Sequence, residues 1–184
     1  MLLLAGAAAC GLLPCTAFAE QGSVNFTGEI TASACSLSSS SAHQTVDLGT
    51  KTVGELRSSP YGAVKSFSIS LTGCHSEAVA SVSLSDPHHG SSALSDLVVP
   101  DSPGSAKGMS VTVRLNAQGR GGQSALYVPD FSKGSVTYGQ NYARIDWAAQ
   151  TRVFYFDAYM HAYDPDRLSP GTVTAQMDYT VEYK

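Results

Sequence analysis

The sequence predicts an all-β fold, an antiparallel sandwich built as a single domain. Three observations carry that expectation. Apolar and polar residues alternate with period two in successive short runs, the pattern of strands buried on one face. Clusters of Ser, Pro, Gly and Asp separate the runs, and evenly spaced short strands with such punctuation suit a sandwich. Beyond the N-terminus, Ser, Thr, Val, Tyr and Gly outweigh Ala, Glu, Lys and Leu, which excludes a helical bundle or coiled coil.

The elements follow in order. Leu2 to Leu13 is apolar and uncharged, and Ala17-Phe18-Ala19 forms an A-x-A cleavage site before Glu20. Such a run is too short for a bilayer core of about 30 Å, yet it suits the apolar region of a signal peptide. Residues 1–19 therefore read as a signal that is removed. No Lys or Arg precedes Lys51, so the usual basic opening is missing and a start codon upstream of Met1 is expected. A lipoprotein reading is disfavoured by Pro14 before Cys15 and by the missing Leu before Cys10.

Val24, Phe26 and Ile30 alternate with polar residues, with Gly28 on the same face. Val46 and Leu48 alternate in the next run; Ser36 to Ser41, before it, reads as a loop. Phe67, Ile69 and Leu71 form a third strand, Val82 and Leu84 a fourth, and Val111, Val113 and Leu115 a fifth. Arg152 to Tyr163 is a long aromatic strand ending at Asp164-Pro165. The last is the most regular: Val173, Ala175, Met177, Tyr179, Val181 and Tyr183 share one face, opposite Thr174, Gln176, Asp178, Thr180 and Glu182.

Export fixes the reading of the cysteines. Cys10 and Cys15 leave with the signal, and Cys35 and Cys74 remain. In an oxidising compartment such a pair reads as a disulfide. A two-cysteine zinc site lacks a neighbouring His pattern, and a free thiol would be oxidised there. With 15 acidic against 11 basic residues and a net charge of −4, the chain lacks the basic clusters that nucleic acid requires.

Two features sit oddly with a self-sufficient sandwich. The chain closes on a strong strand, and an alternating segment, Glu20 to Thr31, directly follows the cleavage site. Either the first and last strands pair within one domain, or the domain lacks a strand and its N-terminal segment serves another copy. The motifs GSVNFTGEITASAC (Gly22 to Cys35), TVDLGT (Thr45 to Thr50), FSISLTGC (Phe67 to Cys74) and the terminal PGTVTAQMDYTVEYK bear on that choice. In order and spacing they resemble the subunits of chaperone–usher pili, the type 1 and P fimbrial family. The resemblance covers Gly22 to about Leu115 and Val153 to Lys184. Gly171, fourteen residues from the end, and the penultimate Tyr183 match that family's terminal motif.

The resemblance implies an incomplete immunoglobulin-like β-sandwich lacking its last strand, with residues 20–31 as a donor-strand extension and 32–184 as the pilin domain. The missing strand leaves an open edge, a liability unless covered. A periplasmic chaperone would lend a strand first. At the outer-membrane usher, the extension of a neighbouring subunit would replace it. Val24, Phe26 and Ile30 would fill a neighbour's groove, and Gly28 would sit where the groove admits no side chain; a bulge or bend at Gly28 is the alternative. Gly171, Val173, Ala175, Met177, Tyr179, Val181 and Tyr183 would form the groove-lining and chaperone-binding strand, with the Lys184 carboxylate held by basic chaperone residues. The implied role is a structural subunit of an extracellular fimbria, exported through the periplasm and contributing to cell adhesion.

Chemical sites are not expected. His88-His89 lies in a turn, with His43, His75 and His161 scattered elsewhere, so no metal is implied. Asp164-Pro165-Asp166 lacks the Gly and distal Glu of a calcium loop. Gly119-Arg120-Gly121-Gly122 lacks the Lys of a phosphate loop. Asn25-Phe26-Thr27 matches a glycosylation sequon inside the donor segment, where a glycan would obstruct insertion. No nucleophile motif occurs, so neither an enzyme nor a cofactor is expected. Gln123 to Gln150 departs from the family pattern and carries Tyr127, Phe131, Tyr138, Tyr142 and Trp147. It reads as an extra hairpin packed on the sandwich. The alternative is a tip-associated subunit that contacts a host glycan through these aromatics.

Overall fold

Short alternating segments can be stable only when their apolar faces meet across two sheets. The computed structural model describes residues 35–89, 94–117 and 125–183, all within the compact unit Ala32–Lys184. Among them the chain forms β1 (Ser36–Leu37), α1 (Ser39–Ala42), α2 (Val53–Ser58), β2 (Lys65–Thr72), β3 (Ala80–Ser85), β4 (Leu97–Val98) and β5 (Met109–Ala117). There follow β6 (Ala125–Tyr127), β7 (Val136–Tyr138), β8 (Arg144–Asp146), β9 (Thr151–Ala162) and β10 (Asp178–Tyr183). The larger sheet runs β1-β2-β9-β5-β4, with β6 added to β5 and β8 to β9; the smaller runs β10-β3-β7. The paired strands are antiparallel.

The core lies between the sheets. Ile69, Leu71, Val113, Leu115, Phe154 and Phe156 project from the larger sheet onto Ala80, Val82 and Leu84 of β3, all buried. Burying each of the larger aliphatic or aromatic side chains contributes about 1.5–3 kcal/mol. A second buried cluster joins Leu56 of α2 to Ala106, Met109, Met160, Ala162 and Leu168. Cys35 and Cys74 are disulfide-bonded, with Cα atoms 4.2 Å apart. The bridge ties the start of β1 to the residue two beyond the end of β2.

Four expectations require correction. Ser36 to Ser41 is not a loop: Ser36 and Leu37 pair with β2, and Ser39 begins α1. The helix α2 was not expected. It is nucleated by a capping box in which the Thr52 hydroxyl accepts from Glu55 N–H at 3.2 Å and the Glu55 carboxylate accepts from Thr52 N–H at 2.8 Å, satisfying two otherwise orphaned donors. Val46 and Leu48 lie in a segment that forms no ladder, and Val173–Met177 likewise precedes the paired part of β10. The reason is the partner's length. Asp178 pairs with Ser85, the last residue of β3, so nothing in that strand remains for the preceding five residues.

Gln123 to Gln150 is not a single hairpin packed on the sandwich. Its strands β6 and β8 extend the larger sheet while β7 joins the smaller one, and Phe131 between them is 1% exposed within the main core. An aromatic series follows, Phe67–Phe156–Tyr138–Tyr142–Tyr127, with successive centroids 5.1–6.3 Å apart. Burial, with the neighbouring Tyr142, pushes the Tyr138 hydroxyl up to about 12.

Candidate functional site

The two segments without ladders face each other. Gln44–Lys51 forms one wall of a groove and Ser169–Tyr179 the other. The floor is the inner face of the larger sheet, including Phe67 and Ile69 of β2, Val111 and Val113 of β5, and Ala158 and Met160 of β9. Its volume is about 1240 Å³, beyond the roughly 300–1,000 Å³ of small-molecule pockets. From Val173 to Tyr179 the wall runs six residue steps, about 20 Å at 3.3 Å per step.

Its backbone chemistry is that of an exposed strand edge. Among the described residues, no backbone–backbone hydrogen bond involves residues 43–51 or 173–177. Unpaired amides and carbonyls beside an apolar floor are a template for another strand. Val173, Ala175, Met177, Tyr179, Val181 and Tyr183 are half-buried and pack on the core, while Thr174, Gln176, Asp178, Thr180 and Glu182 are exposed. The structure therefore gathers the terminal-strand residues named above onto one inward face. Val181 and Tyr183 lie beyond the groove, where β10 pairs with β3.

Gly171 sets where this wall begins. A Cβ built there would lie 2.4 Å from Ala106 N, 2.5 Å from Ser105 C and 2.7 Å from Gly104 O. The contact is that close because Thr172 N–H donates to Gly104 O at 2.9 Å and Ala106 N–H donates to Thr172 O at 3.0 Å. The terminal glycine of the motif thus has a steric cause. At the opposite end, the Tyr179 hydroxyl donates to Ser41 O at 2.6 Å, joining the second wall to α1, just ahead of the first. Desolvation, with a smaller effect of Tyr183, raises the pKa of that hydroxyl above its ordinary value.

Val24, Phe26, Gly28, Ile30 and Lys184 lie outside the described residues, as do the signal segment and Gly119–Gly122. Sequence reasoning missed Ser41, Thr52, Glu55 and Leu56; of these only the T-x-x-E spacing of Thr52 and Glu55 carried a local signal. It also missed the pairing of His161 Nδ1 with Asp96 Oδ2 at 2.6 Å, an oxygen that accepts from Ser110 Oγ at 2.8 Å. That contact ties the approach to β4 onto β5 and β9. Asp164-Pro165-Asp166 forms a turn in which Arg167 N–H donates to Asp164 O at 3.2 Å.

Comparison with known proteins bears on the groove. A family model described as fimbrial protein matches residues 24–184. Over 55 residues the chain is 38% identical to Fimbrial protein 987P of Escherichia coli, a stretch that is 30% of this chain and 28% of that protein. The P pilus rod subunit PapA superposes with a TM-score of 0.57 at 16% identity, covering 83% of this chain and 100% of that one. A subunit from a chaperone–usher pilus studied for rod uncoiling gives 0.58 at 17% identity, covering 93% and 100%. The CupB6 tip adhesin of Pseudomonas aeruginosa gives 0.52 at 17% identity, over 66% of this chain and 30% of that one. The fold is accordingly the immunoglobulin-like sandwich of pilus subunits.

Proposed function

Because the chain belongs to the fimbrial protein family, we propose that it is a structural subunit of an extracellular fimbria that polymerises by donor-strand exchange. The carrying observation is the groove: residues 43–51 and 173–177, which among the described residues make no backbone–backbone hydrogen bond, flank an apolar floor, and the wall from Val173 to Tyr179 runs about 20 Å. Donor-strand complementation of pilins is a named instance of β-strand addition, in which main-chain hydrogen bonds give affinity and alternate side chains give selectivity. Four inward wall positions, Val173, Ala175, Met177 and Tyr179, match in number the four inward positions Val24, Phe26, Gly28 and Ile30 of a donor. Burying the Val, Phe and Ile side chains there would stabilise the junction by roughly 4.5–9 kcal/mol before ordering costs.

On this reading a periplasmic chaperone fills the groove first, an outer-membrane usher supervises replacement by a neighbouring subunit's extension, and the polymer contributes to adhesion at the cell surface. The role is structural rather than catalytic. The aromatics of 123–150 divide between the core and the surface. Phe131 and Tyr138 are buried, whereas Tyr127 and Trp147 are 43% and 58% exposed, with the Arg152 guanidinium 4.5 Å from the Trp147 ring. The test is Gly28→Leu. The variant should fold and reach the periplasm as usual but fail to enter polymer, since the added side chain meets the groove where none fits. Polymer at wild-type yield refutes the assignment; glycan-array binding by strand-complemented protein would support the tip reading instead.

A further inference from the structure

The groove is closed at the level of Tyr179, and the closure is anchored on both sides. Ser41 is 2% exposed. Its Oγ accepts from Ser70 N–H of β2 at 2.9 Å and from Ser38 Oγ at 2.9 Å. Its carbonyl, the acceptor for Tyr179, is therefore held against the larger sheet. Tyr179 is held by the smaller sheet, where it pairs with Leu84 of β3. The phenol ring spans from one sheet to the other where the first wall begins and the second ends. An inward side chain of an inserted strand cannot occupy that level while the ring is there.

From this we infer that the Tyr179–Ser41 hydrogen bond is an end-stop that determines how far an inserted strand extends along the groove and how fast it completes insertion. This rests on the groove being a strand-binding site. Ser41 is held through its Oγ by two hydrogen bonds, so it is the ring that must swing aside for a strand to run further. Breaking one such bond costs about 1 kcal/mol, and at 1.4 kcal/mol per decade that is roughly a fivefold change in rate.

The test uses the full chain and a labelled synthetic peptide of its own residues 20–34, followed by fluorescence anisotropy and by hydrogen exchange of the wall amides. In the wild type, bound peptide should protect amides between Val173 and Asp178 and add none beyond Tyr179. In Tyr179→Phe, uptake should be about fivefold faster and protection should extend past residue 179. Equal rates and equal protection in the two proteins overturn the end-stop while leaving the groove as a strand site. Absence of peptide binding to either overturns both. If the variant fails to fold, the wild type still decides: added protection of Thr180–Glu182 refutes the stop, and its confinement to residues 173–178 supports it.

Discussion

Replacing Gly171 by Ala probes the second wall at its origin. The added methyl would stand 2.4–2.7 Å from three backbone atoms of residues 104–106. None is the end of a flexible side chain, so relief requires the two segments to part by about 1 Å. That movement stretches both hydrogen bonds joining Thr172 to Gly104 and Ala106, at 2.9 and 3.0 Å. Their net loss costs about 2 kcal/mol, and overpacking against rigid backbone adds roughly 1–3 kcal/mol. The expected destabilisation is thus about 3–5 kcal/mol, a large part of the 5–15 kcal/mol typical of a domain. Urea unfolding with the disulfide intact, followed by far-UV circular dichroism and by the fluorescence of Trp147, measures it. Gly54→Ala is the paired control, because a Cβ there finds only Thr52 Oγ1 at 4.0 Å; it should be neutral or stabilising by up to about 1 kcal/mol. A Gly171→Ala midpoint within about 0.5 kcal/mol of wild type would refute the steric account of the motif.

Deleting Tyr183 and Lys184 removes the last rung against Ala80 and the carboxylate a chaperone would hold; recovery from the periplasm should be abolished, and undiminished levels count against chaperone capture. Cys35→Ser with Cys74→Ser opens a loop of 39 residues and should cost roughly 4 kcal/mol on the chain-entropy model; a loss below about 1 kcal/mol, or free thiols in freshly exported wild-type protein by non-reducing mass spectrometry, contradicts the assignment. The Glu55 carboxyl is lowered from its ordinary 4.5 to about 2, first by the Thr52 backbone N–H, then by the Lys51 ammonium and the Thr52 hydroxyl. Because the folded value is the lower one, the cap's contribution is fully present above about pH 4.5 and is lost as pH falls through about 2. Carbon-13 NMR titration should place the Glu55 midpoint near 2 and leave α2 capped at pH 4; a midpoint near 4.5 would remove the capping box as an active contact.

The strands with two apolar neighbours were legible because period two survives burial. Arg152 to Tyr163 anticipates β9 to within a residue at each end, and Phe67, Ile69 and Leu71 all fall in β2. The groove walls illustrate the opposite case. Val46, Leu48 and Val173 to Met177 alternate as strands do, yet pairing is a property of two segments, and alternation along one cannot reveal that its neighbour is absent. The strands β6, β7 and β8 have three residues each, too few for any period to emerge, so their distribution over both sheets was hidden. Gly171 was legible as a motif, but its cause was not: the crowding comes from residues 104–106, more than sixty positions away.

The disulfide also determines how mechanical load enters the domain. Residues preceding Cys35 join the described fold at the residue whose sulfur is bonded to Cys74. Tension on that leading segment divides at the bridge, and the covalent route delivers it to the end of β2, a strand held between β1 and β9. The first groove wall, Gln44–Lys51, lies inside the 39-residue loop that the bridge closes. It is thereby mechanically bypassed. If the proposed strand exchange operates, tension on the segment before Cys35 has a covalent route to the centre of the larger sheet that does not pass through Gln44–Lys51.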